Sequence, residues 1–250
     1  VKSKLTRLTT LVPKQNLRSN STLVQNEGGA SRIKRNESRV GRFAPTLEFE
    51  ILSGFPHKII AGVDEVGRGC LAGPVVAGAL ICPPDIDLST PSWLHEIKDS
   101  KLLKPETRER LAPLIEAWAV SYAIGVASVE EIGEINIYHA SHLAMKRAVM
   151  ALKVSPEQVL IDGNAIPKGL PCHATAIVKG DLKSLSIAAA SIIAKVYRDR
   201  LMFEMDQKYP GYGFSVHKGY GTPAHQRALK EIGVCEIHRR GFAPVDALLG

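Results

Sequence analysis

The feature that most constrains this chain is an apolar run, Ile59-Ile60-Ala61-Gly62-Val63, that delivers two adjacent carboxylates, Asp64 and Glu65, into Val66-Gly67-Arg68-Gly69. Ile59, Ile60, Ala61 and Val63 read as a buried strand. An ionised pair at the end of such a strand has to be hydrated, hydrogen-bonded or bound to a cation, because taking a carboxylate out of water unpaired is costly. Hard oxygen donors on a rigid strand suit Mg²⁺ or Mn²⁺, and no thiol or imidazole stands beside them to favour zinc. Gly67 and Gly69 let the backbone approach something closely or take a positive φ, with Arg68 held between them.

Other readings of the same stretch fit less well. The glycines at 67, 69 and 73 miss the G-x-G-x-x-G spacing of a dinucleotide site, and no G-K-[ST] follows to make a phosphate loop. The plainer alternative is a strand and turn whose acids are solvated and whose Arg68 pairs with one of them. Asp64 and Glu65 also face a geometric difficulty as joint ligands. Neighbours on a strand point to opposite faces, so they share a site only if the chain twists or leaves the strand there.

Charge divides the chain. Up to Thr46 there are ten Lys/Arg against two Asp/Glu, a balance of +8, while the whole chain carries +7, which leaves residues 47–250 at −1. Residues 1–50 are accordingly set apart as a basic, disordered tail and residues 51–250 as the folded domain, since scraps such as Leu11-Val12 and Leu23-Val24 bury too little to fold alone. A nonspecific nucleic-acid arm and an organelle-targeting peptide are the other readings of the tail. Cys70, Cys82, Cys172 and Cys235 are widely spread and form no C-x-x-C pair, so neither a zinc site nor a disulfide framework is indicated. No apolar run is long enough to cross a bilayer, and a soluble, cytoplasmic enzyme is expected.

In chain order, a strand over 58–64 is followed by an apolar second strand, Pro74 to Cys82, ended by Pro83-Pro84. Pro105 opens a helix in which Leu111, Leu114, Ile115 and Trp118 recur at core spacing. Val120 to Ala127 reads as a third strand, and Ser128-Val129-Glu130-Glu131 as a capping box opening a helical region that breaks near Gly133 to Ile135 and resumes to about Leu152. His139 and His142 there lack an H-E-x-x-H frame and are read as packing or solvent contacts. Val159-Leu160-Ile161-Asp162 is a short strand that again ends in a carboxylate, and Thr175 to Val178 leads to Lys179-Gly180-Asp181. A long helix follows, about Leu185 to Tyr209, whose Ala188, Ala189, Ala190 and Ala194 allow close approach to the sheet. Thr222-Pro223 starts a further helix that runs to Gly233. The first strands are too closely spaced for a crossover, which argues for a mixed α/β sheet.

Two segments offer nucleic-acid contacts. Tyr212, Phe214, His217, Lys218 and Tyr220 alternate with glycines and read as a flexible rim of ring faces and positive charge, against the alternative of an ordinary aromatic loop on the core. His238-Arg239-Arg240 is either a solvated cluster or a phosphate contact, and together with His217 and Lys218 it forms the local basic cluster a nucleic acid would meet.

Taken in order, the segments Ala61-Gly62-Val63-Asp64-Glu65-Val66-Gly67-Arg68-Gly69, Lys98-Asp99-Ser100-Lys101, Leu160-Ile161-Asp162-Gly163, Val178-Lys179-Gly180-Asp181, Ala189 to Val196, His217 to Thr222 and His238-Arg239-Arg240 closely resemble ribonuclease HII from about residue 57 to 245. The resemblance implies a ribonuclease H-like mixed sheet flanked by helices, with a helical C-terminal extension. It assigns Asp64, Glu65, Asp162 and Asp181 as catalytic and metal-binding carboxylates, and Gly67, Arg68, Gly69, Tyr220 and Lys101 as substrate contacts. It further implies two ions, Mg²⁺ or Mn²⁺, about 4 Å apart, one activating water and the other steadying the leaving 3′-oxygen. The substrates would be RNA–DNA hybrids and duplex DNA carrying single ribonucleotides, told apart from DNA by the 2′-hydroxyl, and the enzyme would act as a monomer. A binding protein that holds hybrids without cutting, and a DNA-directed nuclease of the same superfamily, are the competing readings.

Overall fold

A computed structural model describes residues 44–88 and 91–249. The tail reading up to residue 43 therefore lies outside the described residues. Five strands, β1 (Ile60–Val66), β2 (Val75–Ile81), β3 (Ser121–Ala127), β4 (Gln158–Asp162) and β5 (His173–Ile177), form one sheet in the order β3-β2-β1-β4-β5. β1 to β3 are an antiparallel meander, whereas β4 joins β1 and β5 joins β4 in parallel. The mixed sheet expected from the short first connection is present, and its central strand is the one that carries Asp64.

Helix α2 (Pro105–Trp118) and the long α4 (Leu185–Lys208) cover one face, and α3 (Val129–Met150) covers the other. The alanine run of α4 is buried against the sheet, and the strands answer it with glycines. A Cβ at Gly62 would lie 2.3 Å from the Ser186 backbone carbon, and one at Gly78 would lie 2.5 Å from the Ala190 carbonyl oxygen. On α2, Leu111 and Ile115 are buried as their spacing predicts, but Leu114 is more than a third exposed. The capping box at Ser128 is formed in both directions, and α3 is kinked at Asn136, one residue beyond the expected break. Asn136 leaves the helical backbone there, and its side chain caps the Tyr138 and His139 amides.

A short helix, α1 (Glu48–Leu52), precedes the sheet and belongs to the same body. Its Glu50 is fully buried, with Oε1 accepting from the Ser184 hydroxyl at 2.6 Å and from the Ser186 amide at 2.9 Å, at the N-terminus of α4. The fold therefore begins before residue 51. The C-terminal extension consists of α5 (Phe214–His217), α6 (Pro223–Ile232) and α7 (Ala243–Asp246). It is sewn to the connection after β1 by isolated bridges, Cys70 to Tyr220 and Ala72 to His238.

Candidate active site

Strand alternation decides which acids meet. Ala61 and Val63 pack into the core under α3, whereas Ile60 and Leu160 pack with Ile187 of α4, so even-numbered side chains at the ends of β1 and β4 turn to the α4 side. The register places Val63 beside Ile161, which brings the next residues, Asp64 and Asp162, together on that side. Asp181 arrives from the 3₁₀ turn Gly180–Leu182 after β5, directed there by Lys179 in a left-handed conformation. Carboxylate oxygens of Asp64, Asp162 and Asp181 all lie within 4.8 Å of one another. Glu65 is not one of the three. It lies within β1 on the opposite parity and pairs with Arg68 at 3.3 Å, and its amide donates to Asp64 Oδ1 at 2.7 Å.

Electrostatics report the crowding. Burial, reinforced by Glu65, Asp162 and Asp181, pushes the Asp64 carboxyl well above the usual carboxylate range despite Lys101. Burial raises Glu65 and Asp181 as well, with Arg68 opposing the first and Lys101 the second. Lys101 Nζ is 3.5 Å from Asp181 and 3.9 Å from Asp99. Partial burial pulls its ammonium down, but Asp99, Asp64 and Asp181 outweigh that and hold it above its ordinary value. One ammonium does not neutralise three clustered acids. An all-oxygen cluster of this kind fits a hard divalent cation, whose charge reverses the penalty that burial imposes on the carboxylates.

Asp64 and Glu65 line a cavity of about 200 Å³ together with Gly67, Arg68, Gly69, Lys101 and Tyr220, so the structure gathers every expected substrate contact around one opening. Ser100, Ser191 and Lys195 line it too, and the sequence alone assigns them no role. Lys195 pairs with Asp199 at 2.6 Å and lies 6.0 Å from the Tyr220 ring centre, and burial lowers its ammonium below the ordinary range. The signal was present as a lysine directly after Ala194 and seven residues, two helical turns, beyond Ala188, on the same face of the helix.

Two expectations are corrected. Tyr212 and Phe214 are not an exposed rim but are buried and stacked on each other, as the alternative of an aromatic loop on the core has it, leaving Tyr220 as the half-exposed ring of that segment. His217, His238 and Arg239 are buried as well, so of the basic cluster only Lys218 and Arg240 keep their charge near the surface. Arg239 makes neither a solvated cluster nor a phosphate contact, because its guanidinium is spent on main-chain carbonyls. His139 and His142 lie against Tyr138 as packing partners, as expected.

Among the described residues, no helix is long and apolar enough to cross a membrane, and all four cysteines are free. The family model described as Ribonuclease HII matches residues 61–245. A ribonuclease HII of Nitrosococcus oceani is 54% identical over 190 residues, covering 76% of this chain and 91% of that protein. One from Geobacillus kaustophilus is 53% identical over 226 residues, covering 88% and 83%. Among solved structures, the ribonuclease H2 of Pyrococcus horikoshii superposes with a TM-score of 0.63 at 30% identity, covering 76% of this chain and 96% of that one.

Proposed function

The chain belongs to the ribonuclease HII family, and from that premise we propose that it hydrolyses the phosphodiester on the 5′ side of ribonucleotides, in RNA–DNA hybrids and at single ribonucleotides embedded in duplex DNA. The observation that carries the reading is the meeting of Asp64, Asp162 and Asp181, from three separated segments, with Asp64 lining a cavity that Gly67 to Gly69 and Tyr220 line as well. Asp64, Asp162 and Asp181 would hold Mg²⁺ or Mn²⁺, with Glu65 at the margin of the site and engaged by Arg68. When bound, two such ions supply Lewis-acid stabilisation of the phosphate and a water nucleophile at neutral pH, leaving 3′-hydroxyl and 5′-phosphate ends.

The protein's own residues do the recognition. Lys101 projects its exposed ammonium beside Asp181, where it can meet a phosphate oxygen and offset charge as it builds. Gly69 has no atom within 4 Å of where a Cβ would sit, so its backbone is open to a ribose. A 2′-hydroxyl both donates and accepts, which lets main-chain groups of residues 67–69 distinguish it from a deoxyribose. The Tyr220 ring, which also lines the cavity, offers a face for the neighbouring sugar. The free cysteines fit a reducing, cytoplasmic compartment.

The decisive experiment is magnesium-dependent nicking of a DNA duplex carrying one ribonucleotide, with Asp64→Asn as the control. Cleavage 5′ to the ribonucleotide that disappears in the variant is the expected result. Tight binding without cleavage would favour a hybrid-binding protein, and equal cutting of an all-DNA duplex would favour a DNA-directed nuclease.

A further inference from the structure

Two buried arginines lie beneath the segment that reads the ribose. Arg198, in α4, and Arg239, after α6, are both fully buried, yet every hydrogen bond either guanidinium makes goes to a main-chain carbonyl. Arg239 donates to Gly73 at 2.7 Å, Cys70 at 2.9 Å and Arg68 at 3.1 Å. Arg198 donates to Pro74 at 3.0 Å and Ala72 at 3.1 Å, and reaches across to the Lys218 carbonyl at 2.8 Å. Burying a guanidinium without a carboxylate is costly, and a hydrophobic residue of similar volume would serve packing as well or better. The cost is visible at Arg239, whose Nη2 has no partner and whose guanidinium burial lowers to about 10.

The two forks together fix the carbonyl directions of the chain between β1 and β2. With those carbonyls turned toward the guanidinium groups, the path of the Arg68-Gly69 backbone along the cavity is set from behind. The glycines agree with this. Gly67, at φ 96°, has no room for a side chain because a Cβ would lie 2.2 Å from Arg198 Nε, whereas Gly69 faces open space. Gly67 is thus small for the arginine and Gly69 for whatever enters the cavity. Arg198 also ties the ribose-facing segment to the loop bearing Tyr220, through the Lys218 carbonyl.

We infer that Arg198 and Arg239 are positioning residues that hold the Gly67–Gly69 backbone and the Tyr220 loop in one register, so that both contact the same ribonucleotide junction. The inference rests on the function proposed above. A single embedded ribose offers one productive alignment and demands both contacts at once, whereas a hybrid presents a 2′-hydroxyl in every alignment.

The test compares the parent with Arg198→Lys and Arg239→Lys on three duplexes of one sequence: all-DNA, DNA with one ribonucleotide, and RNA–DNA hybrid. Lysine keeps the charge and stem but loses the planar fork. In variants that retain the parent's cooperative unfolding transition, cleavage at the single ribonucleotide should slow about tenfold or more, and hybrid cleavage far less. Equal losses on both substrates, or none, would overturn the inference, because a merely structural role lowers both together. If instead the parent cuts all-DNA as fast as the single-ribonucleotide duplex, the proposed function itself fails and takes the inference with it. Should neither lysine variant fold, amide exchange in the parent decides: protection across residues 67–73 as strong as in β2 supports the pinned loop, and exchange at the rate of an open loop overturns it.

Discussion

The Asp162 carboxylate accepts the Gly180 backbone N–H at 2.6 Å, which ties the end of β4 to the turn that carries Asp181. One oxygen of Asp162 therefore works for the fold while the charge works for the site. The two roles separate by substitution. Asp162→Asn keeps an acceptor for Gly180 and removes one of the mutually repelling charges, so the metal-free protein should melt at or above the parent's temperature while cleavage falls about a hundredfold or more. Asp162→Ala also loses the bond and should cost about 1 kcal/mol of stability. Thermal unfolding in chelator, read beside nicking rates, checks both. An asparagine variant markedly less stable than the alanine one would contradict this division.

Crowded acids make the fold itself responsive to metal. Asp64, Asp162 and Asp181 repel one another across less than 4.8 Å when no cation lies between them. Mg²⁺ or Mn²⁺ should therefore raise the unfolding temperature of the parent, by about 2.7 kcal/mol of stability at a hundredfold excess over the dissociation constant. Chelator should reverse it. In Asp64→Asn the metal-free protein should gain stability and the metal increment should shrink. Identical metal-induced shifts in parent and variant would place the ion elsewhere.

Gly67 and Gly69 stand two residues apart and should respond differently to alanine. At Gly67 the methyl group meets Arg198 and a positive φ, so Gly67→Ala should destabilise by about 2 kcal/mol or more. At Gly69 it meets nothing, so Gly69→Ala should change stability by no more than about 0.5 kcal/mol and still slow cleavage about tenfold or more by crowding the ribose. Urea unfolding and single-turnover cleavage of the two variants separate these effects. Full activity in a stable Gly69→Ala protein would remove the backbone of residue 69 from recognition.

The strand ends that carry Asp64 and Asp162 were legible from sequence, because an apolar run ending in a carboxylate is a costly arrangement with few solutions. Their meeting was not, since it depends on the parallel pairing of β1 with β4 and on side-chain parity that only a fixed register supplies. The same parity separates Glu65 from the three clustered acids, a conflict visible in the adjacency of the two residues. Arginine and histidine misled for a physical reason. Charge run and spacing read His238-Arg239-Arg240 as surface, yet the loop after β1 has so many inward carbonyls that two guanidinium groups are buried to satisfy them. Aromatics at Tyr212 and Phe214 read as a rim, but the C-terminal helices supply a small core of their own that absorbs them.

That second core holds a chain of neutral imidazoles, and acid should break it. The Cys235 amide donates to His238 Nδ1 at 2.9 Å, which leaves Nε2 to donate to His225 Nε2 at 3.0 Å and His225 Nδ1 to donate to the Tyr220 carbonyl at 2.9 Å. A proton added to His238 Nδ1 would face the Cys235 N–H, and a cation there would also meet His225 and His217, which stack at 4.4 Å. Burial, then His225 and His217, lowers His238 to about 4, and burial followed by His217 lowers His225. The unfolded chain takes up these protons near pH 6.5, so it binds more protons than the fold between about 6.5 and 4. The stability contributed by the neutral rings is thus complete above that window and is lost as pH falls through it, on the order of 2 kcal/mol between pH 6.5 and 4.5. The buried carboxylates, whose values are raised, act in the opposite sense, so the comparison must be internal. His238→Leu should be less stable than the parent at pH 7.5, where it leaves the Cys235 amide and His225 unpaired, yet lose less on acidification. Urea unfolding at pH 7.5, 5.5 and 4.5 measures the difference, and parallel pH profiles for parent and variant would mean that the imidazole chain is not what acid attacks.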